Sequence, residues 1–129
     1  MRYFLDNCLS YRYADMLNAL GMGEVTALRT EFEEDTADMD WIPVIGRNGW
    51  TLIGCDRGQI KDPKEKMALK NAGVIAFYLA KGFDSFQLVD KAWRLVKVWP
   101  SIIATAESTR GGQCYLVRTN GSIEVLALR

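Results

Sequence analysis

Short unbroken apolar runs and helical apolar stripes alternate along the chain, and the alternation predicts its elements. Tyr3–Leu5 is a brief apolar run closed by Asp6-Asn7. Leu9, Tyr13, Met16, Leu17 and Leu20 then recur at helical spacing, with Ser10 as cap and Gly21 as stop. Glu24–Leu28 reads as a second strand, and Trp41–Arg47 as a short helix ended by Asn48-Gly49. Trp50–Cys55 is almost wholly apolar, as a strand buried on both faces requires. Asp62-Pro63-Lys64-Glu65 carries the cap, the first-position proline and the third-position acid of a helix start, and that helix runs to Ala72 and Gly73. Val74–Leu79 is a further buried strand. Phe86, Val89, Trp93 and Val96 mark one stripe of a longer helix, which Pro100 is expected to break from Ile102–Ala106. Gln113–Thr119 and Ser122–Leu128 flank Asn120-Gly121, the signature of a hairpin with a type I′ turn.

Strands that alternate with helices of this length predict an α/β fold with a mostly parallel central sheet flanked by helices, closed by a C-terminal β-hairpin. The 129 residues show no repeat, low-complexity tract or linker, so one domain over 1–129 is expected. Sixteen basic residues balance sixteen acidic ones, which excludes nucleic-acid binding through a basic tail while leaving room for a local patch. There is no histidine, and this excludes Ser-His and Cys-His nucleophiles and imidazole-ligated zinc. Cys8, Cys55 and Cys114 are odd in number and far apart; they fit neither a disulfide framework nor a zinc knuckle, so a reducing, cytoplasmic setting is expected. Polar Arg2 and Asp6 argue against a signal peptide, and no apolar run approaches a membrane span.

Without histidine, hydrolytic chemistry falls to the acids. In parallel sheets functional residues gather beyond the carboxyl ends of the strands, where Asp6 follows the first strand and Asp56 the third. A third acid from the stretch holding Glu31, Glu33, Glu34, Asp35, Asp38 and Asp40 would complete a cluster for a hard divalent cation, Mg²⁺ or Mn²⁺. Such an ion acidifies bound water and clamps a phosphate. Pro43 bears on which acid that is. If Asp40 caps the helix, Pro43 falls in the first turn, where its missing N–H costs nothing. Asp40 is then structural and Asp38 the ligand, with Asp40 as the alternative. Asp62 is expected to be the cap of its helix, and Glu65 part of a capping box.

Five segments carry a resemblance: Phe4-Leu5-Asp6-Asn7; Asp38-Met39-Asp40-Trp41-Ile42-Pro43; Gly49-Trp50-Thr51-Leu52-Ile53-Gly54-Cys55-Asp56-Arg57; Asp62-Pro63-Lys64-Glu65-Lys66-Met67-Ala68-Leu69; and Ala72-Gly73-Val74-Ile75-Ala76-Phe77-Tyr78-Leu79. In this order and spacing they resemble the PIN-like domains related to VapC-type toxin ribonucleases. The likeness covers residues 2–80 and leaves the 113–128 hairpin outside. It implies a three-layer PIN-type fold and Mg²⁺- or Mn²⁺-dependent endoribonuclease activity. The implied metal and catalytic acids are Asp6, Asp38 and Asp56, with Glu65 or Asp62 as a fourth acid. It also implies an RNA substrate, a blocking antitoxin partner and a homodimer. Cys55 stands where the family pattern often has a basic or hydroxyl residue, and Gly58 where it tends to have a basic one.

Arg57, Lys61 and Arg110 are candidates for holding RNA phosphates, with Lys64, Lys66, Lys70, Lys91, Arg94 and Lys97 nearby in sequence; a solvated basic helix face is the plainer alternative. Trp41, Trp50 and Trp93 are expected in the core. The rival to the nuclease is a catalytically silent PIN-like module that binds RNA or a protein.

Overall fold

Period-two side-chain alternation along the strands divides the interior into two halves. The protein is seen here in a computed structural model that describes residues 1–55 and 57–126. Its strands are β1 (Arg2–Leu5), β2 (Glu24–Ala27), β3 (Thr51–Gly54), β4 (Ile75–Leu79), β5 (Gln113–Val117) and β6 (Ile123–Leu126). The helices are α1 (Tyr11–Ala19), α2 (Leu28–Glu31), α3 (Asp38–Arg47), α4 (Pro63–Ala72) and α5 (Leu88–Ser108). Tyr3, Leu5, Ile53, Phe77 and Leu79 pack on one face of the sheet with residues of α1 and α5. Phe4, Leu52, Ala76, Tyr78 and Cys114 pack on the other with residues of α3 and α4. The result is the expected three-layer α/β architecture.

The described residues form one sheet in the order β2-β1-β3-β4-β5-β6, parallel throughout except for the antiparallel β5–β6 pair. The chain steps outward from β1 to β2, returns across β1 to β3, and then continues through β4 and β5. The order therefore reverses between β1 and β3, the point at which parallel sheets form a crevice beyond the carboxyl ends of the strands. The two faces differ in how closely the helices approach. A Cβ on Gly46 of α3 would lie 2.6 Å from Ala72 Cβ and 2.7 Å from its carbonyl oxygen, so the α3–α4 contact depends on a bare Cα.

Several elements depart from the sequence reading. Strand β2 ends at Ala27, and Leu28 opens the short helix α2. Helix α3 begins at Asp38, not Trp41; its N-cap is Ala37, and Pro43 lies inside the helix. Asp40 is therefore not the cap, and the first-turn argument from Pro43 fails. Pro100 likewise does not break α5, which runs unbroken from Leu88 to Ser108. An interior proline costs about 3 kcal/mol relative to alanine. Leu95, Trp99 and Ile102 are fully buried around it, at roughly 2 kcal/mol each, while Pro100 itself faces solvent. The α5 stripe was also mis-phased. The buried positions are Leu95, Val98, Trp99, Ile102 and Ala106, whereas Val89 is 75% and Trp93 47% exposed.

The hairpin forms, but its turn is not type I′, because Asn120 does not have positive φ and Gly121 does, at 92°. Gly121 N–H donates to Arg118 O and Arg118 N–H to Ser122 O, the pattern of a three-residue loop with glycine in the left-handed position. The cysteines give the largest correction. Cys8 and Cys55, 47 residues apart, form a disulfide, and Cys114 is a buried free thiol. The pairing eluded the sequence because proximity across β1 and β3 exists only once those strands are neighbours. The expected reducing setting therefore loses its support from the cysteines. Among the described residues no helix is long and apolar enough to cross a membrane.

Candidate active site

Asp6 is the first residue beyond β1, and its N–H still donates to Ile53 O of β3 at 3.0 Å. That bond fixes the carboxylate at the β1–β3 reversal point, on the side of the sheet where α3 and α4 lie. Asp6 is 7% exposed, and its Oδ1 accepts from Asn7 N–H at 2.7 Å. Asp38 sits in the first turn of α3, where the helix dipole favours negative charge. Asp6 Oδ2 and Asp38 Oδ2 each accept a hydrogen bond of 3.0 Å from the same atom, Nε2 of Gln59. Two acids 32 residues apart in sequence thus meet at a single amide nitrogen.

Gln59 lies in a 3-10 turn over Arg57–Ile60 and is fully buried. Its Oε1 accepts from the Tyr78 hydroxyl at 2.9 Å, which settles the orientation of the amide and turns both its N–H groups toward the carboxylates. Tyr78 is fully buried on β4, in register with Gly54 of β3. Gly54 leaves the space between them clear: a Cβ there would lie 3.8 Å from Asp6 Cβ and 3.5 Å from the tyrosine ring. Neither Gln59 nor Tyr78 was foreseen. Tyr78 left a signal, a phenol in an apolar buried strand that must find a partner. Gln59 left none, being one polar residue in a polar loop.

Asp56 lies outside the described residues. Among those described, no three acids or cysteines converge as a metal-holding group. Asp40 is exposed and stands apart from the Gln59 network. Asp62 is the expected N-cap of α4, its Oδ1 accepting from Lys64 N–H at 2.8 Å. Glu65 follows in the first turn of that helix, half-buried. Elsewhere in the acidic stretch, Glu34 pairs with Arg29, and Glu31 accepts from the Thr26 hydroxyl. Asn7 Nδ2 donates to Glu34 O at 2.8 Å and ties this segment to the end of β1.

The candidate phosphate-binding residues separate. Arg57 donates to Leu79 O and pairs with Asp84 at 3.3 Å, so its guanidinium braces the ends of β3 and β4. Lys61 is exposed beside the Gln59 turn. Arg110 follows α5 and precedes β5, and Gly112 packs on Gly73 just before β4. Arg110 therefore lies at the amino end of the sheet, at the opposite end from Asp6. The Cys8–Cys55 disulfide links the loop after β1 to the end of β3, directly beside the crevice. Closing a loop of that length contributes about 4 kcal/mol in the chain-entropy account.

The sequence model of the PIN-like domain family matches residues 1–81. The chain belongs to the PIN-like domain family. No curated protein and no solved structure matches it. The matched segment runs from β1 through β4 and so contains the crevice, Asp6, Asp38, Gln59 and Tyr78; α5 and the hairpin lie beyond it. PIN domains are generally nucleases that use divalent metals, and the oxygen donors here fit that chemistry. Carboxylates about 5 Å apart repel by roughly 3 kcal/mol at an effective dielectric near 20, a load that a cation offsets.

Proposed function

We propose that this PIN-like domain is a Mg²⁺- or Mn²⁺-dependent endoribonuclease. The observation that carries the reading is the shared hydrogen bond of Asp6 and Asp38 to Gln59, at the reversal point of a parallel sheet. Asp6 and Asp38, with Asp56 following β3, would hold the ion. A bound divalent cation supplies a positive charge to a phosphodiester oxygen and lowers the pKa of water. The residues of the chain fix the carboxylates. Tyr78 orients Gln59, Gln59 holds both acids at one separation, and Asn7 N–H and the β1–β3 ladder immobilise Asp6. Arg57 keeps the segment after β3 against β4, and exposed Lys61 is placed to meet a flanking phosphate. The same reading includes the toxin role, with a partner protein that blocks the crevice, and self-pairing of the domain.

The test combines cleavage and growth. Asp6→Asn and Asp56→Asn are expected to abolish Mn²⁺-dependent cleavage of RNA with the fold intact. Expression of the wild type, and not of Asp6→Asn, is expected to arrest growth if the toxin role holds. Undiminished cleavage by Asp6→Asn removes the assignment.

One feature favours the rival, a catalytically silent module. The Gln59 amide already satisfies one oxygen of each acid, which a pocket with no cation would also need. Mg²⁺ and Mn²⁺ titrations separate the two, since an ion bound by the folded state alone raises its melting temperature. A flat response together with absent cleavage establishes the silent module.

A further inference from the structure

A second recess lies at the same end of the sheet, outside the segment that matches the PIN-like family. It has a volume of about 360 Å³, enough for one nucleotide, and it opens between α5 and the β5–β6 turn. Trp93, Arg94, Lys97 and Ser101 line it from one side, Arg118 and Asn120 from the other, and among the described residues no acid lines it. In a chain of balanced charge, three cations in one recess are a local concentration. Glu124 engages Arg118 through two oxygens. Among the described residues, neither Arg94 nor Lys97 has a carboxylate within 4 Å. The Arg94 guanidinium stacks 4.0 Å from the Phe86 ring centroid and 4.4 Å from that of Trp93. Its Nε is buried without a hydrogen-bond partner among the described residues. This planar cation sits against two aromatic rings with no ion-pair partner among the described residues, beside a tryptophan that is 47% exposed.

We infer that the recess is a subsite for single-stranded RNA, in which Arg94 and Lys97 engage phosphates and Trp93 stacks a base. The inference rests on the nuclease reading for the identity of the strand. Exposed aromatic and basic side chains on one face are the elements of single-strand binding, and Arg is suited to phosphate by its planar fork. Position supports it as well. The segments after β4 and β5 both lie at the carboxyl end of the sheet, as Asp6 does. Phe83, which lines the recess, neighbours Asp84, the partner of Arg57. From β1 to β5 is three strand spacings, about 14 Å; the recess lies on the α5 face and the carboxylates on the α3–α4 face, so a strand joins them by passing over the carboxyl edge of the sheet.

The test measures fluorescence polarisation of a labelled single-stranded oligoribonucleotide of about ten residues, with the full chain and a chelator present so that binding is read without cleavage. Trp93→Ala is expected to weaken binding about tenfold, and Lys97→Glu to weaken it and flatten its salt dependence. Both positions are exposed, and unchanged melting temperatures establish that the variants fold. An abasic strand of equal length is expected to bind the wild type more weakly and to be indifferent to Trp93→Ala. Wild-type affinity in both variants overturns the subsite, as does failure of the wild type to bind the strand at low salt. A chain that binds through Trp93 and Lys97 but cleaves with neither Mg²⁺ nor Mn²⁺ defeats the nuclease reading and leaves the subsite standing.

Discussion

Gln59 carries no charge, yet its amide sets how Asp6 and Asp38 share the crevice. Each N–H···carboxylate bond is charge-assisted, and a buried bond of that kind contributes roughly 1.5–3 kcal/mol. Gln59→Leu removes both and leaves the carboxylates facing each other. Urea unfolding is expected to show a loss of about 3 kcal/mol, part of which Mg²⁺ recovers if the acids hold it. Tyr78→Phe is expected to cost less, about 1–2 kcal/mol, because it strands one amide oxygen and leaves the N–H groups in place. Equal losses in the two variants would mean that the tyrosine, not the amide, organises the acids. At this scale the sequence made Asp6 legible, since an acid beyond a strand has a defined address. It left Gln59 invisible, because the role of a neutral amide depends entirely on what surrounds it.

At the level of elements, helices α3 and α4 meet where Gly46 lacks a side chain. The rigid backbone of Ala72 stands 2.7 Å from the site of the missing Cβ. Gly46→Ala is expected to destabilise the domain by about 2 kcal/mol in spite of alanine's better helix propensity, as read by chemical denaturation; a stabilised variant would show that the helices can separate freely. The β5–β6 hairpin carries a pH dependence of its own. Arg118 holds the Glu124 carboxyl below its ordinary pKa by hydrogen bonding and charge. A lowered folded-state pKa gives stability that is present above the ordinary carboxylate value and lost as pH falls through the lowered one. Glu124→Gln is therefore expected to narrow the difference in melting temperature between neutral and acid solution. The helices and strands were readable from periodicity, but the buried face of α5 was not. Val89, Trp93 and Val96 form one helical stripe, and Leu95, Val98, Trp99 and Ile102 form another. The sheet decides which of the two is covered.

For the whole molecule, the Cys8–Cys55 bridge is the decisive covalent feature, and thiol titration checks it. Burial pushes the Cys114 thiol up to about 11, so it stays protonated and shielded in the folded chain. A thiol reagent is expected to find no reactive group in the native protein, one after denaturation, and all three after denaturation with reduction. Two reactive groups in the unreduced native protein would show the bridge to be absent. Reduction is also expected to lower stability by about 4 kcal/mol, measured as the shift of the denaturation midpoint with and without a dithiol. The loss should be accompanied by loosening of the crevice, because the bridge joins the loops beyond β1 and β3.

The amino-acid sequence by itself determined the order of the strands and of the longer helices, the parallel sheet and the place of Asp6 at its carboxyl end. Hydrophobic period, capping residues and strand-end position are all local properties. Tertiary structure alone decided that Asp38 joins Asp6 through Gln59, that Cys8 meets Cys55, that Arg57 is spent on Asp84, and that Arg110 lies at the far end of the sheet. Each of those depends on which strands lie side by side. That adjacency is a product of packing and loop closure over the whole chain, and no local window of sequence encodes it.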